Sequence, residues 1–79
     1  MPIEVRLPQL SMGMSDAEII DWQVVKGDTV AEGDDLVEVD AEKAQVMIPA
    51  PSAGTVVEIH AQPGDVVEVR GLLCVLEAA

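Results

Sequence analysis

Several residue types are scarce in this sequence, and each shortage excludes a class of protein. A single cysteine cannot form an internal disulfide, so a reducing compartment fits better than a secreted, cross-linked framework. Only 4 basic residues stand against 15 acidic ones, and a formal charge of −11 would repel nucleic acid and anionic lipid. Apolar runs are only a few residues long, so neither a transmembrane helix nor a signal peptide is predicted. Trp22 is the only aromatic residue, and we expect it to pack in the core.

The patterned stretches are short, rich in valine and isoleucine, and separated by glycine and proline. Alternation with a period of two residues is typical of strands that bury one face. The 79 residues therefore predict one all-β domain, a flattened β-barrel or sandwich of two antiparallel sheets. The predicted strands span residues 3–7, 18–25, 35–40, 44–50, 54–60 and 72–77, with short edge strands near Thr29 and Val66.

The chain also matches itself when it is shifted by 37 residues. Gly27-Asp28 then meets Gly64-Asp65, and the flanking apolar residues meet as well. A repeated turn with strand patterns on both sides predicts two similar halves related by a pseudo-twofold axis. The link between the halves, near residues 40–44, should lie opposite the chain termini, and it contains Lys43.

The chain has two lysines, Lys26 and Lys43, whose settings differ. Lys26 precedes a Gly-Asp turn, where a solvated charge is a sufficient explanation. Lys43 lies between two strand-like runs that form a predicted hairpin. From composition and spacing alone, Lys43 can be an ordinary exposed turn residue or a functional one.

Motifs in a fixed order carry a resemblance that extends from residue 7 to residue 77. They are Leu7-Pro8-Gln9-Leu10-Ser11-Met12-Gly13-Met14, Trp22, Lys26-Gly27-Asp28, Gly33-Asp34, Asp40-Ala41-Glu42-Lys43-Ala44, Pro49-Ala50-Pro51 with Gly54, and Pro63-Gly64-Asp65. In this order and spacing the chain resembles a lipoyl domain from the acyltransferase component of a 2-oxo acid or acetoin dehydrogenase complex. Two departures are Glu42, where that family has aspartate, and Arg70, where its second half usually turns on glycine.

The resemblance implies the biotinyl/lipoyl-carrier type of fold and lipoic acid attached covalently to Lys43. Glu42 and Ala44, which flank this lysine, would be read by the attaching enzyme. Met12 and Met14 would lie in a loop that contacts a partner, although methionines fill core gaps more often. The domain would be a non-catalytic swinging arm that carries acyl groups and reducing equivalents.

The resemblance also implies the partners of the domain. They are a lipoate ligase or lipoyl transferase, a thiamin-dependent decarboxylase, an acyltransferase core and dihydrolipoyl dehydrogenase. We expect residues 1–77 to form the carrier domain, which would be monomeric in isolation, and residues 78–79 to begin an alanine-rich linker. The bacterial cytoplasm is favoured over the mitochondrial matrix.

Two alternatives remain open at this point. A biotin-carrying domain resembles this fold, but that family places methionine on both sides of its lysine. An interaction module without a prosthetic group is the second alternative. Neither of two other polar residues indicates a site: Cys74 lies in an apolar run, and His60, expected as an exposed strand residue, has no histidine or cysteine near it that would predict a metal site.

Overall fold

A computed structural model describes residues 1–9, 12–41 and 44–78. The elements found in this part are all strands, which confirms the predicted all-β class, and none of them is a helix long and apolar enough to span a membrane. The strands are β1 (Pro2–Arg6), β2 (Asp16–Trp22), β3 (Thr29–Val30), β4 (Asp35–Ala41), β5 (Ala44–Pro49), β6 (Gly54–Ile59), β7 (Val66–Glu68) and β8 (Leu72–Ala78).

The strands form two four-stranded antiparallel sheets. Sheet A has the order β1-β8-β6-β3, and sheet B has the order β5-β4-β2-β7. The molecule measures 34 × 21 × 17 Å, as expected for a flattened sandwich. The core that the two sheets share includes the fully buried residues Leu7, Ile19, Leu36, Leu73 and Leu76.

The predicted strand boundaries need small corrections. Strand β2 ends at Trp22 rather than at residue 25, because the Val25 amide donates to the Asp28 carboxylate at 3.0 Å and begins a turn. Strand β8 continues one residue further than predicted, since Ala78 pairs with Gly54. The two short edge strands lie where they were predicted.

The internal repeat is confirmed by the pairing of the strands. The rung Glu18↔Asp40 between β2 and β4 recurs 37 residues later as Thr55↔Glu77 between β6 and β8. Both strand pairs are also interrupted by an irregularity at equivalent places, between Ile19 and Asp21 and between Val56 and Glu58. The two sheets are therefore copies of one pattern related by a pseudo-twofold axis.

The two equivalent Gly-Asp turns, at Gly27 and Gly64, each connect a strand of one sheet to a strand of the other. The Gly27 amide donates to the Val56 carbonyl oxygen at 2.7 Å, and the Gly64 amide donates to the Ile19 carbonyl oxygen at 2.8 Å. Both glycines adopt a positive φ, 100° and 93°, which residues with a side chain rarely adopt. The repeated Gly-Asp signal thus marks two equivalent crossings between the sheets, from β2 to β3 and from β6 to β7.

The β4–β5 hairpin and the chain termini lie at opposite ends of the molecule. The Met1 amino group is 2.8 Å from the Glu77 carboxylate, near the end of β8. A short turn joins β7 to the start of β8. Strand β7 pairs with the first residues of β2, and the last residues of β4 pair with the same part of β2. The Ala41↔Ala44 rung therefore lies beside the start of β8, far from Ala78.

Candidate functional site

The β4–β5 hairpin carries the predicted attachment site. Ala41, the last residue of β4, pairs with Ala44, the first residue of β5. Only Glu42 and Lys43 join these paired residues in sequence, and both lie outside the described residues. The exposure of Lys43 stays a prediction, whereas the paired strands that lead to it and away from it match the predicted strands to within one residue.

Lys26, the other lysine, lies in the turn that carries the chain from β2 in sheet B to β3 in sheet A. Its side chain is exposed, which confirms the prediction of a solvated charge. The turn around it is held by the Gly27 amide on the Val56 carbonyl oxygen and by the Asp28 side chain on the Val25 amide. Lys26 thus belongs to a turn that joins the two sheets rather than to a hairpin.

Met12 and Met14, the two predicted contact residues, differ in how much of each is exposed to solvent. Met12 is 93% exposed, so it is available to a partner. Met14 is only 4% exposed and belongs to the hydrophobic core, which corrects its placement on a contact surface. Burial of an adaptable thioether among aliphatic side chains is the commoner role of methionine.

Trp22 is half-buried and packs against the core, as predicted. Its indole N–H donates to the Ala61 carbonyl oxygen at 2.8 Å.

Cys74 is fully buried, and desolvation raises the pKa of its thiol from 9.0 to about 11. A thiol held protonated in this way is a poor nucleophile, so Cys74 behaves as a small hydrophobic residue.

His60 is exposed, but it follows β6 rather than lying in it, because that strand ends at Ile59. Its Nε2 lies 2.9 Å from the Glu58 carboxylate. In the described part of the chain no three His, Cys, Asp or Glu residues cluster to hold a metal ion, and no pocket encloses a ligand.

The outer face of sheet B, which was not predicted as a site, carries carboxylates that lie opposite one another on adjacent strands. One row runs Gln45, Asp40, Glu18 across β5, β4 and β2. A second row runs Met47, Glu38, Asp21, and Asp16 faces Glu68 on β7. The six carboxylates of Asp16, Glu18, Asp21, Glu38, Asp40 and Glu68 form what we call the sheet B acidic face. The charged positions alternating with apolar ones in residues 16–21 and 35–40 are the sequence signal that could have found it.

Comparison with known proteins adds independent information on this chain. A family model described as "Biotin-requiring enzyme", covering biotin and lipoyl domains, matches residues 3–76. The dihydrolipoyllysine-residue acetyltransferase component of the pyruvate dehydrogenase complex from Staphylococcus aureus strain Mu50 is 40% identical over 78 residues. The lipoamide acyltransferase component of the branched-chain alpha-keto acid dehydrogenase complex from Pseudomonas aeruginosa is 40% identical over 73 residues. The matches cover 99% and 92% of this chain but only 18% and 17% of those proteins.

Two solved structures share the fold. The lipoyl domain of the 2-oxoglutarate dehydrogenase complex from Azotobacter vinelandii superposes with a TM-score of 0.76 and 23% identity, and the match covers 98% of this chain and 99% of that domain. A single-chain, multi-domain long-chain acyl-CoA carboxylase superposes with a TM-score of 0.84 and 23% identity, over 99% of this chain and 7% of that one. Together with the family match over residues 3–76, the two paired sheets and the β4–β5 hairpin show that this chain belongs to the family of biotin and lipoyl domains.

Proposed function

We propose that this domain is a lipoyl-bearing swinging arm of a 2-oxo acid dehydrogenase acyltransferase. The observation that carries the proposal is the family match over residues 3–76 in a chain whose Ala41↔Ala44 rung is joined by only Glu42 and Lys43. Relatives that are 40% identical over nearly all of this chain are named as acyltransferase components, which favours lipoate over biotin.

Lys43 is the proposed attachment residue. Its primary amine would form an amide with lipoic acid, which removes one positive charge and leaves the dithiolane on a long flexible arm. When bound, that ring accepts and releases acyl groups and electrons. Glu42 and Ala44 flank the lysine and are the side chains that an attaching enzyme would read.

The domain itself would supply tethering rather than catalysis. Tethering replaces free diffusion by an effective concentration on the order of millimolar when the tether matches the span between sites. The proposed partners are a lipoate ligase or lipoyl transferase, a thiamin-dependent decarboxylase, an acyltransferase core and dihydrolipoyl dehydrogenase. The proposed location is the bacterial cytoplasm, and we propose that residues 78–79 lead into a linker of a longer subunit.

Intact mass spectrometry tests the proposal directly. After incubation with a purified lipoate ligase, lipoate and ATP, the domain should gain the mass of one lipoyl group. Lys43→Arg keeps the charge but lacks a primary amine of suitable nucleophilicity, so it should stay unmodified and folded. Lys26→Arg is the matched control and should be modified like the parent, and the opposite pattern would move the site to Lys26.

A biotin carrier is the second candidate, favoured by the likeness to the acyl-CoA carboxylase. Biotin domains present two methionines beside their lysine, whereas Glu42 and Ala44 stand here. Glu42→Met with Ala44→Met should therefore permit biotinylation by a biotin ligase, while the parent domain should accept little or none. A parent domain that is biotinylated efficiently and refuses lipoate would reverse the cofactor assignment.

Met12 is the proposed contact for the decarboxylase. Met12→Ser should slow reductive acylation of the lipoylated domain but leave lipoylation and thermal stability unchanged, because its side chain is 93% exposed. Met14→Ser is the contrasting variant, since it removes a core side chain and should lower stability. Equal acylation rates for the parent and Met12→Ser would show that the loop makes no functional contact.

A further inference from the structure

The two sheets of this domain have the same strand pattern but carry their charges differently. On sheet A, the outward carboxylates of Glu4, Glu58 and Glu77 each have a nitrogen within 2.9 Å, from Arg6, His60 and the Met1 amino group respectively. Among the described residues, none of the six carboxylates of the sheet B acidic face forms an ion pair. The pseudo-twofold axis thus relates a face whose carboxylates each have a nitrogen partner to a face whose carboxylates have none among the described residues.

The pairing register makes this arrangement unfavourable for the isolated domain. Three rungs bring like charges directly opposite each other: Glu18 with Asp40, Asp21 with Glu38, and Asp16 with Glu68. Like charges opposite each other on adjacent strands repel and destabilise the sheet. On sheet A the equivalents of the first two rungs contain only one carboxylate each, Thr55↔Glu77 and Glu58↔Val75, and the positions equivalent to Asp16 and Glu68 are Ala53 and Ala31. Stability of the fold therefore does not require the charges on sheet B.

The edge beside this face is open and uncharged. Among the described residues β5 pairs only with β4, and its six residues carry no charge. Edge strand β3 is also uncharged but has only two residues, whereas edge strand β1 carries Glu4 and Arg6 and edge strand β7 carries Glu68. Uncharged edges are where another chain can approach, and charges normally protect them. A second copy of this chain would bring a like set of carboxylates to the same edge, so self-association is opposed. A cationic partner would be attracted by the same charges.

From these observations we propose that the sheet B acidic face, with β5 at its edge, is the docking surface for an enzyme that acts on Lys43 and presents lysine and arginine side chains. The inference rests on the proposed function, because it takes Lys43 as the residue that the partner reaches. The row Gln45, Asp40, Glu18 lies next to the Ala41↔Ala44 rung, so a partner on this face would lie beside the hairpin that contains Lys43. Complementary charge of this kind orients and accelerates association.

The pseudo-twofold axis supplies a matched experiment. Asp21→Asn with Asp40→Asn removes two carboxylates from sheet B, and Glu58→Gln with Glu77→Gln removes two from the equivalent positions of sheet A. Both double variants change the net charge equally. The probe is a purified lipoate ligase, and kcat/KM for lipoyl transfer is measured by intact mass at about 10 mM and about 1 M salt, where screening extends over about 30 Å and 3 Å.

The sheet B double variant should lower kcat/KM at least about fivefold at low salt, mainly through KM, and the difference should vanish at high salt. The sheet A double variant should match the parent. Glu18→Gln, a single exposed change in the same row, should lower kcat/KM by a smaller factor and serves if the double variant folds poorly. Thermal unfolding of the sheet B double variant should shift upward, because repulsion across two rungs is removed.

Equal kcat/KM for the two double variants would overturn this inference and leave the proposed function intact. Dimerisation of the sheet B double variant with unchanged transfer rates would assign the charges to preventing self-association and would also overturn it. A parent domain that the ligase does not modify would instead overturn the proposed function, and this inference with it.

Discussion

Arg70 adopts a backbone conformation that is common only for glycine, and we expect this conformation to lower the stability of the domain. Its φ is 71°, and its equivalent in the first half of the repeat is Gly33, with a φ of 90°. A residue with a side chain in the left-handed region loses about 1–2 kcal/mol. Glycine would remove that strain but would also add about 0.4–1 kcal/mol of entropy to the unfolded chain. Arg70→Gly should therefore stabilise the domain by about 0.5–1 kcal/mol.

The backbone contacts of this turn do not depend on the Arg70 side chain. The Arg70 amide donates to the Leu7 carbonyl oxygen at 2.7 Å, and its own carbonyl oxygen accepts from the Arg6 guanidinium at 2.9 Å. Both bonds survive in Arg70→Gly. For a domain of 60–100 residues, about 0.5–1 kcal/mol corresponds to a rise of about 2–8 °C in Tm, measured by circular dichroism.

The reciprocal change provides the control for Arg70→Gly. Nothing lies within 4 Å of a Cβ built on Gly33, so Gly33→Arg should add backbone strain without a clash and lower Tm by a similar amount. If Arg70→Gly leaves Tm unchanged or lowers it, the strain assigned to this turn is wrong. If both variants lower Tm, the Arg70 side chain stabilises the fold by more than the strain costs.

Three further changes test the packing of the sandwich. Gly54→Ala would place its Cβ 2.5 Å from the Glu77 carbonyl oxygen. Urea denaturation should therefore show that the free energy of unfolding falls by about 1–3 kcal/mol. An unchanged midpoint would mean that β6 and β8 can separate locally. Trp22→Phe removes the hydrogen bond to the Ala61 carbonyl oxygen and should cost about 1 kcal/mol in the same assay, whereas a variant as stable as the parent would show that the bond contributes nothing. Burial raises the pKa of the Cys74 thiol to about 11, so the folded protein holds this proton more tightly than the unfolded chain does. The resulting contribution to the free energy of unfolding is fully present below pH 9 and is lost as the pH rises from about 9 to 11. Cys74→Ala should lose that part of the pH dependence, and an identical slope in parent and variant would contradict the assignment.

Much of this architecture could be predicted from the sequence because its determinants are local. Alternation with a period of two residues identified the strands, and the Gly-Asp pairs at Gly27 and Gly64 identified the turns that need a positive φ. The 37-residue repeat carried the pseudo-twofold symmetry, since equivalent residues make equivalent rungs in the two halves. The order and spacing of the motifs between residues 7 and 77 indicated the family, because each motif is a continuous segment of the chain.

The remaining features depend on which distant residues meet. Met12 and Met14 are two positions apart in one loop, yet one is exposed and the other buried, because only the packed sheets decide which of them meets the core. Likewise, no local pattern states that Glu18 faces Asp40 or that Asp16 faces Glu68, since these rungs join strands far apart in the chain. Composition determined that the domain is strongly acidic. Tertiary pairing decided that the carboxylates on sheet A lie beside nitrogen atoms and that, within the described residues, those of the sheet B acidic face do not, because such a pair requires proximity in space.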